Sequence, residues 1–232
     1  NIYEGEIIKT LSAKNNLSNY IIINSCAVTE EAEKKVRYEI RKSKKKFPNK
    51  KIIVTGCAAQ IKPKEYALMN DVDFVIGNNE KLNENTWSSL SHSQPIQVQE
   101  IFSTNYMHNN IIKKFEGKSR AYIEIQQGCD HRCTFCIIPF GRGNNRSVPV
   151  GVIVDRIKAF VNNGYKEVVL TGVDITDYGK DLPGIPNLFQ LIKRILNLVP
   201  NLQQLRLSSI DCAEITSDFW PLLKEEKLMP YF

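Results

Sequence analysis

Three cysteines fall within eight residues of one another in the string Gly128-Cys129-Asp130-His131-Arg132-Cys133-Thr134-Phe135-Cys136, a Cys-x3-Cys-x2-Cys spacing. Three thiolates on one short loop can face a single point. A cubane iron–sulfur cluster takes four ligands, commonly four cysteines, so three leave one iron open to a ligand from outside the chain. Zinc sites usually pair a Cys-x2-Cys knuckle with a second knuckle further on, and no second knuckle is present. A three-thiolate cluster is therefore the expected chemistry, with zinc or inert thiols as the alternatives. His131 reads as a further iron ligand or as a solvent-facing loop residue. Arg142 and Arg146 flank the loop, where a guanidinium suits a carboxylate or a phosphate.

Two more cysteines, Cys26 and Cys57, stand just beyond short apolar runs, Tyr20-Ile21-Ile22-Ile23 and Ile52-Ile53-Val54. Such runs read as strands of a parallel sheet, whose carboxyl edge is where ligands bind. The alternative is two small buried residues. Cys212 has no partner spacing and reads as a core residue.

The elements that must position these groups alternate. A helix is expected over 1–14 with Ile2, Ile7, Ile8 and Leu11 inward. Strands are expected at 20–23, 52–54 and 72–76, and helices over about 30–46 and 79–90. Thr29, followed by Glu30 and Glu31, reads as an N-cap. After Arg120 three strand–helix units follow: strand 122–126 with a helix from Ser147, strand 167–170 with helix 187–198, and strand 205–207 with helix 218–226. The fold expected is α/β, a Rossmann-like parallel-sheet domain over 1–95, a polar linker over 96–119, and the first half of a β/α barrel over 120–232. Cys129, Thr171-Gly172-Val173-Asp174 and Ser208-Ser209 then follow successive barrel strands. Gly172 reads as a close-approach glycine or a tight strand exit, and Ser208 and Ser209 as ligand contacts or helix caps.

The loop spacing, with Phe135 before its last cysteine, resembles the radical S-adenosylmethionine (SAM) superfamily signature. The longer string Gly128-Cys-Asp-His-Arg-Cys-Thr-Phe-Cys-Ile-Ile-Pro-Phe-Gly-Arg-Gly-Asn-Asn-Arg-Ser-Val-Pro149 resembles the methylthiotransferases, and within them the branch that acts on threonylcarbamoyladenosine in tRNA. Asn24-Ser-Cys-Ala-Val-Thr29 and Gly56-Cys-Ala-Ala-Gln60 resemble cysteine motifs of that family's N-terminal domain. The resemblance implies two [4Fe–4S] clusters. One is held by Cys129, Cys133 and Cys136 with SAM on its open iron. The other is held by Cys26, Cys57 and a third cysteine expected upstream of Asn1. It implies cofactor contacts from Phe135, Arg146, Gly172, Val173, Asp174, Ser208 and Ser209. It also implies a tRNA anticodon loop as substrate, an electron donor such as flavodoxin or ferredoxin, a sulfur donor, and a cytoplasmic setting. The same chemistry on isopentenyladenosine in tRNA or on a ribosomal-protein aspartate is one alternative. A non-catalytic iron–sulfur or zinc nucleic-acid-binding module is another, of a different class.

The chain has 232 residues with 42% hydrophobic and 24% charged content, the balance of a globular protein with room for one large domain or two small ones. No apolar run is long enough to span a bilayer and no signal peptide is visible. Six cysteines with a clustered triplet fit metal chemistry in a reducing compartment better than a disulfide scaffold. A net charge of +6 allows a polyanionic partner. Lys34–Lys51 concentrates that charge, either as a solvated helix face or as a phosphate-tracking patch. The chain starts without methionine in what reads as a helix under way, and it stops where another strand is expected, so it reads as a fragment.

Overall fold

The computed structural model describes residues 2–110, 112, 114–215 and 217–229; the side chains of Ser91 and Cys212 lie outside the description, and with them the core position expected for Cys212. The chain packs as two units. The first takes Tyr3–Asn110 and Asp130–Asn144, the second the described residues of 111–129 and 145–232. Described residues of the stretch expected as a linker, 96–119, fall in both units. That stretch folds with its neighbours: Ile96–Gln97 is a strand and Ile101 is buried in the first unit, while Phe115 is buried in the second.

The first unit contains α1 (Ile2–Lys14), β1 (Tyr20–Ser25), α2 (Glu30–Lys46), β2 (Lys51–Gly56), α3 (Cys57–Ile61), α4 (Pro63–Ala67), β3 (Phe74–Ile76), α5 (Glu84–Ser88), β4 (Ile96–Gln97) and α6 (Ile138–Arg142). Its four strands form a parallel sheet in the order β1-β2-β3-β4. Central β2 is buried from Ile52 onward, whereas β1, with one neighbouring strand, is half-covered over the run expected to be buried. Thr29 caps α2 by accepting from Ala32 N at 3.1 Å. Acidic residues fill the first turn and Lys44, Lys45 and Lys46 the last, which suits the helix dipole. Val36 and Ile40 pack on Ile52, Val54, Tyr66 and Val75.

Two expectations change here. In α1, Ile2 is exposed and the buried face is Tyr3, Glu4, Ile7, Ile8 and Leu11. The helix expected over 79–90 is broken into a 3-10 turn Glu80–Leu82, α5, and a 3-10 turn Leu90–His92. Asn83 is the cause: its side chain accepts from Asn85 N at 3.0 Å and starts a new helix where the old one would have continued.

The second unit contains β5 (Ala121–Glu124), β6 (Gln126–Gln127), β7 (Arg146–Ser147), α7 (Val150–Asn162), β8 (Glu167–Thr171), α8 (Leu188–Leu198) and β9 (Gln204–Leu207). β5, β8 and β9 form a parallel sheet in that order, and Leu228 bridges Leu205 in parallel. Sequential parallel strands separated by helices are the opening of a β/α barrel. α8 buries Leu188, Leu191, Ile192 and Ile195 at helical spacing, each contributing about 1.5–3 kcal/mol of apolar burial. Ser147 does not open a helix. It pairs with Gln126 in an antiparallel ribbon, β6–β7, and α7 starts only after Pro149. Residues 217–224 form a 3-10 helix rather than an α-helix, with Pro221 inside it removing a donor. No helix of the described residues is long and apolar enough to cross a membrane.

Candidate functional site

In the second unit the carboxyl ends of β5 and β8 lie side by side, Glu124 opposite Thr171. Gly128 has φ 74°, a left-handed turn natural to glycine, and leads into Cys129. The residue that joins these strand exits is Gln126, fully buried. Its Oε1 accepts from Val173 N (2.9 Å) and Asp174 N (2.8 Å). Its Nε2 donates to Gly128 O (2.7 Å) and Asn145 Oδ1 (2.7 Å). Gly172 is required by this packing, since a Cβ there would sit 2.7 Å from Ile175 Cγ2 and 2.8 Å from Gln126 Oε1. The result brings two expected groups together: Cys129 Sγ lies 3.7 Å from Asp174 Oδ2.

The following loop is fastened to β7. Asp181 accepts from Ser147 N (2.8 Å), and Ser147 Oγ accepts from Gly179 N (2.9 Å). Tyr178 donates to Val148 O (2.6 Å), with burial pushing its phenol above the ordinary value. Beside this loop lies a cleft of about 450 Å³ lined in part by Asp177, Lys180, Asn187, Phe189 and Glu214, within the range of small-molecule sites. Ser208 is half-buried and exposed Ser209 follows it, both just past β9. Arg146 is buried in β7.

In the first unit, β1 and β2 pair so that Ser25 stands opposite Gly56. Cys26 and Cys57, the next residue on each strand, therefore occupy equivalent positions at the carboxyl edge of the sheet. Ser25 secures this edge: its Oγ donates to Thr55 O (2.5 Å) and accepts from Ala59 N (3.1 Å). Gly56 has φ 97°, and a Cβ there would lie 2.2 Å from Ser25 O, so only glycine makes this turn into α3. Cys26 is exposed and Cys57 half-buried, so burial in an apolar core does not account for the pair.

The same unit holds Cys133, exposed, and Cys136, half-buried, with Cys136 N donating to Cys133 O at 3.0 Å. Phe135 is 91% exposed, and His131 is exposed. Helix α6, which follows, packs on α3. A Cβ on Gly141 would lie 3.0 Å from Cys57 Cβ. Arg142 Nε donates to Cys57 Sγ at 3.0 Å. Asn78 Nδ2 lies 3.5 Å from the same sulfur and donates to Gly141 O at 2.5 Å. Behind them, Lys81 (0% exposed) donates to Asn78 Oδ1 at 2.6 Å and to Glu4 Oε2 at 2.9 Å, and Arg142 bonds the other Glu4 oxygen. Burial alone would raise the Glu4 carboxyl, but Arg142 and Lys81 hold it below the ordinary carboxylate range. Burial draws the Lys81 ammonium below its usual value against the pull of Glu4.

The donor chemistry fits iron–sulfur clusters. Five described cysteines are free, none is fully buried, and guanidinium and amide N–H groups aim at Cys57 sulfur as they would at a thiolate, the iron-binding form. Sequence reasoning missed Gln126, Asn78, Lys81 and Glu4. The one local signal was the break of the apolar strand pattern by Gln126 and Gln127 just before the cysteine loop.

Residues 6–77 match the uncharacterized protein family UPF0004, and residues 123–228 match the radical SAM superfamily. The threonylcarbamoyladenosine tRNA methylthiotransferase MtaB of Rickettsia prowazekii is 52% identical over 100% of this chain, which covers 55% of that protein. MtaB of Aquifex aeolicus is 35% identical over 94% of the chain and 53% of the relative. The chain thus spans about half the length of the curated relatives it matches. A solved structure of the radical SAM methyltransferase TsrM from Kitasatospora setae, with cobalamin and a [4Fe–4S] cluster bound, shares the fold at TM-score 0.57 and 13% identity, covering 90% of this chain and 47% of that one. With a UPF0004 segment carrying Cys26 and Cys57, a radical SAM segment carrying the cysteine triplet, and methylthiotransferases as relatives along its whole length, the chain belongs to the radical SAM methylthiotransferase family.

Proposed function

We propose that the protein of which this chain forms part is a tRNA methylthiotransferase that converts N6-threonylcarbamoyladenosine beside the anticodon to its 2-methylthio derivative. The observation that carries this reading is the packing of α6, in the segment that holds Cys133 and Cys136, against α3, which begins with Cys57. A sulfur donor is useful only near the radical source. The relatives named MtaB along the full chain support the adenosine assignment over isopentenyladenosine or a ribosomal-protein aspartate.

Cys129, Cys133 and Cys136 would hold one [4Fe–4S] cluster, and Cys26 and Cys57 would be ligands of a second. When bound, these groups supply reductive cleavage of SAM and a methylated sulfur for the adenosine C2–H position. The chain's own residues do the positioning. Gln126 fixes the Val173 and Asp174 amides, which sets the Asp174 carboxylate beside Cys129, where it would take a SAM amine. Gly172 keeps that strand exit free of side-chain bulk. Ser208 and Ser209 are offered to ribose hydroxyls, and Arg146 to the SAM carboxylate. Phe135, exposed and next in sequence to Cys136, would offer an aromatic face to the cofactor. The residues divide functionally into a cluster-bearing first domain and a radical SAM domain that starts at β5. An electron donor such as flavodoxin or ferredoxin and a separate sulfur donor would serve the enzyme in the cytoplasm, with tRNA.

The tRNA would meet a basic surface on α2, but not all its lysines are equal. Lys44 is half-buried, donates to Lys50 O at 3.1 Å and pairs with Asp73. Lys45 and Lys46 are exposed. Neutralising Lys45 and Lys46 together should reduce the salt slope of tRNA binding by about one per lost phosphate contact. A filter-binding series against salt measures this, and an unchanged slope assigns α2 to a solvated face.

The activity itself is tested with full-length protein, reconstituted anaerobically and incubated with SAM, a reductant, sulfide and tRNA bearing threonylcarbamoyladenosine. Appearance of the methylthio nucleoside supports the proposal. Tight tRNA binding with no SAM turnover would instead support a non-catalytic nucleic-acid-binding module.

A further inference from the structure

Glu4 and Lys81 are buried charges that the chemistry above does not use, and both connect to one sulfur. Lys81 is 0% and Glu4 1% exposed. Each oxygen of Glu4 takes one cation: Oε2 takes Lys81, and Oε1 takes Arg142. Arg142 is thereby held with its Nε 3.0 Å from Cys57 Sγ. Lys81 also bonds Asn78 Oδ1 at 2.6 Å, which turns the Asn78 amide nitrogen toward Cys57 Sγ and Gly141 O. Asn78 is fixed at its backbone too, where its N–H donates to Gln60 Oε1 at 2.8 Å. The arrangement spans 138 residues of sequence between Glu4 and Arg142. Buried charge of this kind is costly to keep and contributes little net stability in place of apolar packing, so its directionality toward one sulfur calls for a use.

We propose that Arg142 and Asn78, oriented by Glu4 and Lys81, are hydrogen-bond donors to the Cys57 sulfur that hold the second cluster and set its reduction potential. This rests on the reading above that Cys57 is a cluster ligand. Donors to cluster sulfurs and nearby positive charge stabilise the reduced, more negative state, and both are established levers on potential. Asn78 supplies a neutral donor and Arg142 a charged one, so Arg142 carries the larger effect. Arg142 lies in α6, so the segment that bears Cys133 and Cys136 also supplies the donor for Cys57. The first cluster's loop is in this way built into the electrostatics of the second cluster's ligand.

The test uses the full-length protein with Cys129, Cys133 and Cys136 all replaced by alanine, so that any cluster belongs to the second site. Iron content and the EPR signal of the reduced protein are recorded, and the midpoint is found by dye titration. The measurements are repeated with Arg142→Leu and with Arg142→Lys. The expected result is that Arg142→Leu shifts the oxidised-to-reduced ratio at fixed potential about tenfold toward oxidised, equivalent to about 59 mV for one electron, with an altered EPR line shape. Arg142→Lys should restore part of the shift, since it keeps charge and loses the fork geometry. Loss of iron in either variant with unchanged circular dichroism and melting temperature supports the proposal as well. Clusters retained with the parent potential and EPR line shape in both variants overturn it, as does loss of the fold in both, which makes Arg142 a packing residue. If the protein carrying Arg142 and the three alanines binds no iron at all, the reading of Cys57 as a ligand has failed, and the proposal falls with it.

Discussion

Replacing Cys133 with alanine in the full-length enzyme is expected to abolish deoxyadenosine formation from SAM. The loop offers three thiolates for four irons, so the site has no spare ligand. Alteration of groups that merely support a metal's ligands already costs about 10–100-fold, so loss of a ligand should exceed about a hundredfold. Cys133 is exposed, and its truncation removes no core packing, so the fold should survive and the loss should be specific. The assay is chromatographic quantification of deoxyadenosine after anaerobic reconstitution and reduction. Deoxyadenosine at the wild-type rate would remove Cys133 from the cluster. Iron content should fall by one cluster, with that of Cys26 and Cys57 unaffected.

The second large effect is on stability. Glu4→Gln leaves Lys81 and Arg142 facing a neutral amide in a site where Lys81 is fully enclosed. Breaking a buried ion pair by removing one partner typically costs about 3–5 kcal/mol, and that loss is expected in the urea midpoint at neutral pH. The pH dependence follows from sign. The folded-state pKa of Glu4 is lowered, because Arg142 and Lys81 outweigh burial. Its ionic contribution is therefore fully present above the unfolded value of about 4.3, and it is lost only as pH falls through the lower folded value. The gap between wild type and variant should persist across pH 5–8 and narrow only in strong acid. Pairing Glu4→Leu with Lys81→Met should cost less than the sum of the single changes, because the two groups contact each other. A midpoint unchanged in Glu4→Gln would mean that the buried cations find other partners.

Much of the architecture was legible because it rests on local pattern. Apolar runs of three or four residues marked β1, β2 and β8, and apolar residues interrupted by a single polar one marked β5 and β9. The Leu188-Leu191-Ile192-Ile195 spacing marked α8, and Thr29 with its acidic followers marked the start of α2. The cysteine spacing pointed to iron–sulfur chemistry, the cofactor class of the family the chain belongs to. What was not legible depends on distant pairing. Lys81 sits in the polar string Asn78-Asn79-Glu80-Lys81, which reads as surface, yet it is enclosed because Glu4 reaches it from 77 residues away. Gln126 looked like the fraying end of a strand, and its role appears only once β8 delivers the Val173 and Asp174 amides to it. The grouping of Asp130–Asn144 with the first unit has no local signature, since it depends on Gly141 letting α6 approach Cys57 at the start of α3. Asn83 starts a new helix from inside the stretch expected as one continuous helix over 79–90. The basic run of α2 was legible as charge, though not that Lys44 is occupied within the fold.

We propose above that the full-length protein installs a methylthio group on threonylcarbamoyladenosine, with Cys26 and Cys57 serving one cluster and Cys129, Cys133 and Cys136 the other. Mass spectrometry of tRNA nucleosides from cells lacking the full-length gene tests it most directly, compared with cells re-expressing the wild-type, Cys57→Ala or Cys133→Ala protein. The account predicts that the 2-methylthio derivative disappears, that unmodified threonylcarbamoyladenosine accumulates in its place, and that only the wild-type gene restores the product. Persistence of the methylthio nucleoside without the gene, or its full restoration by either cysteine variant, would contradict the account.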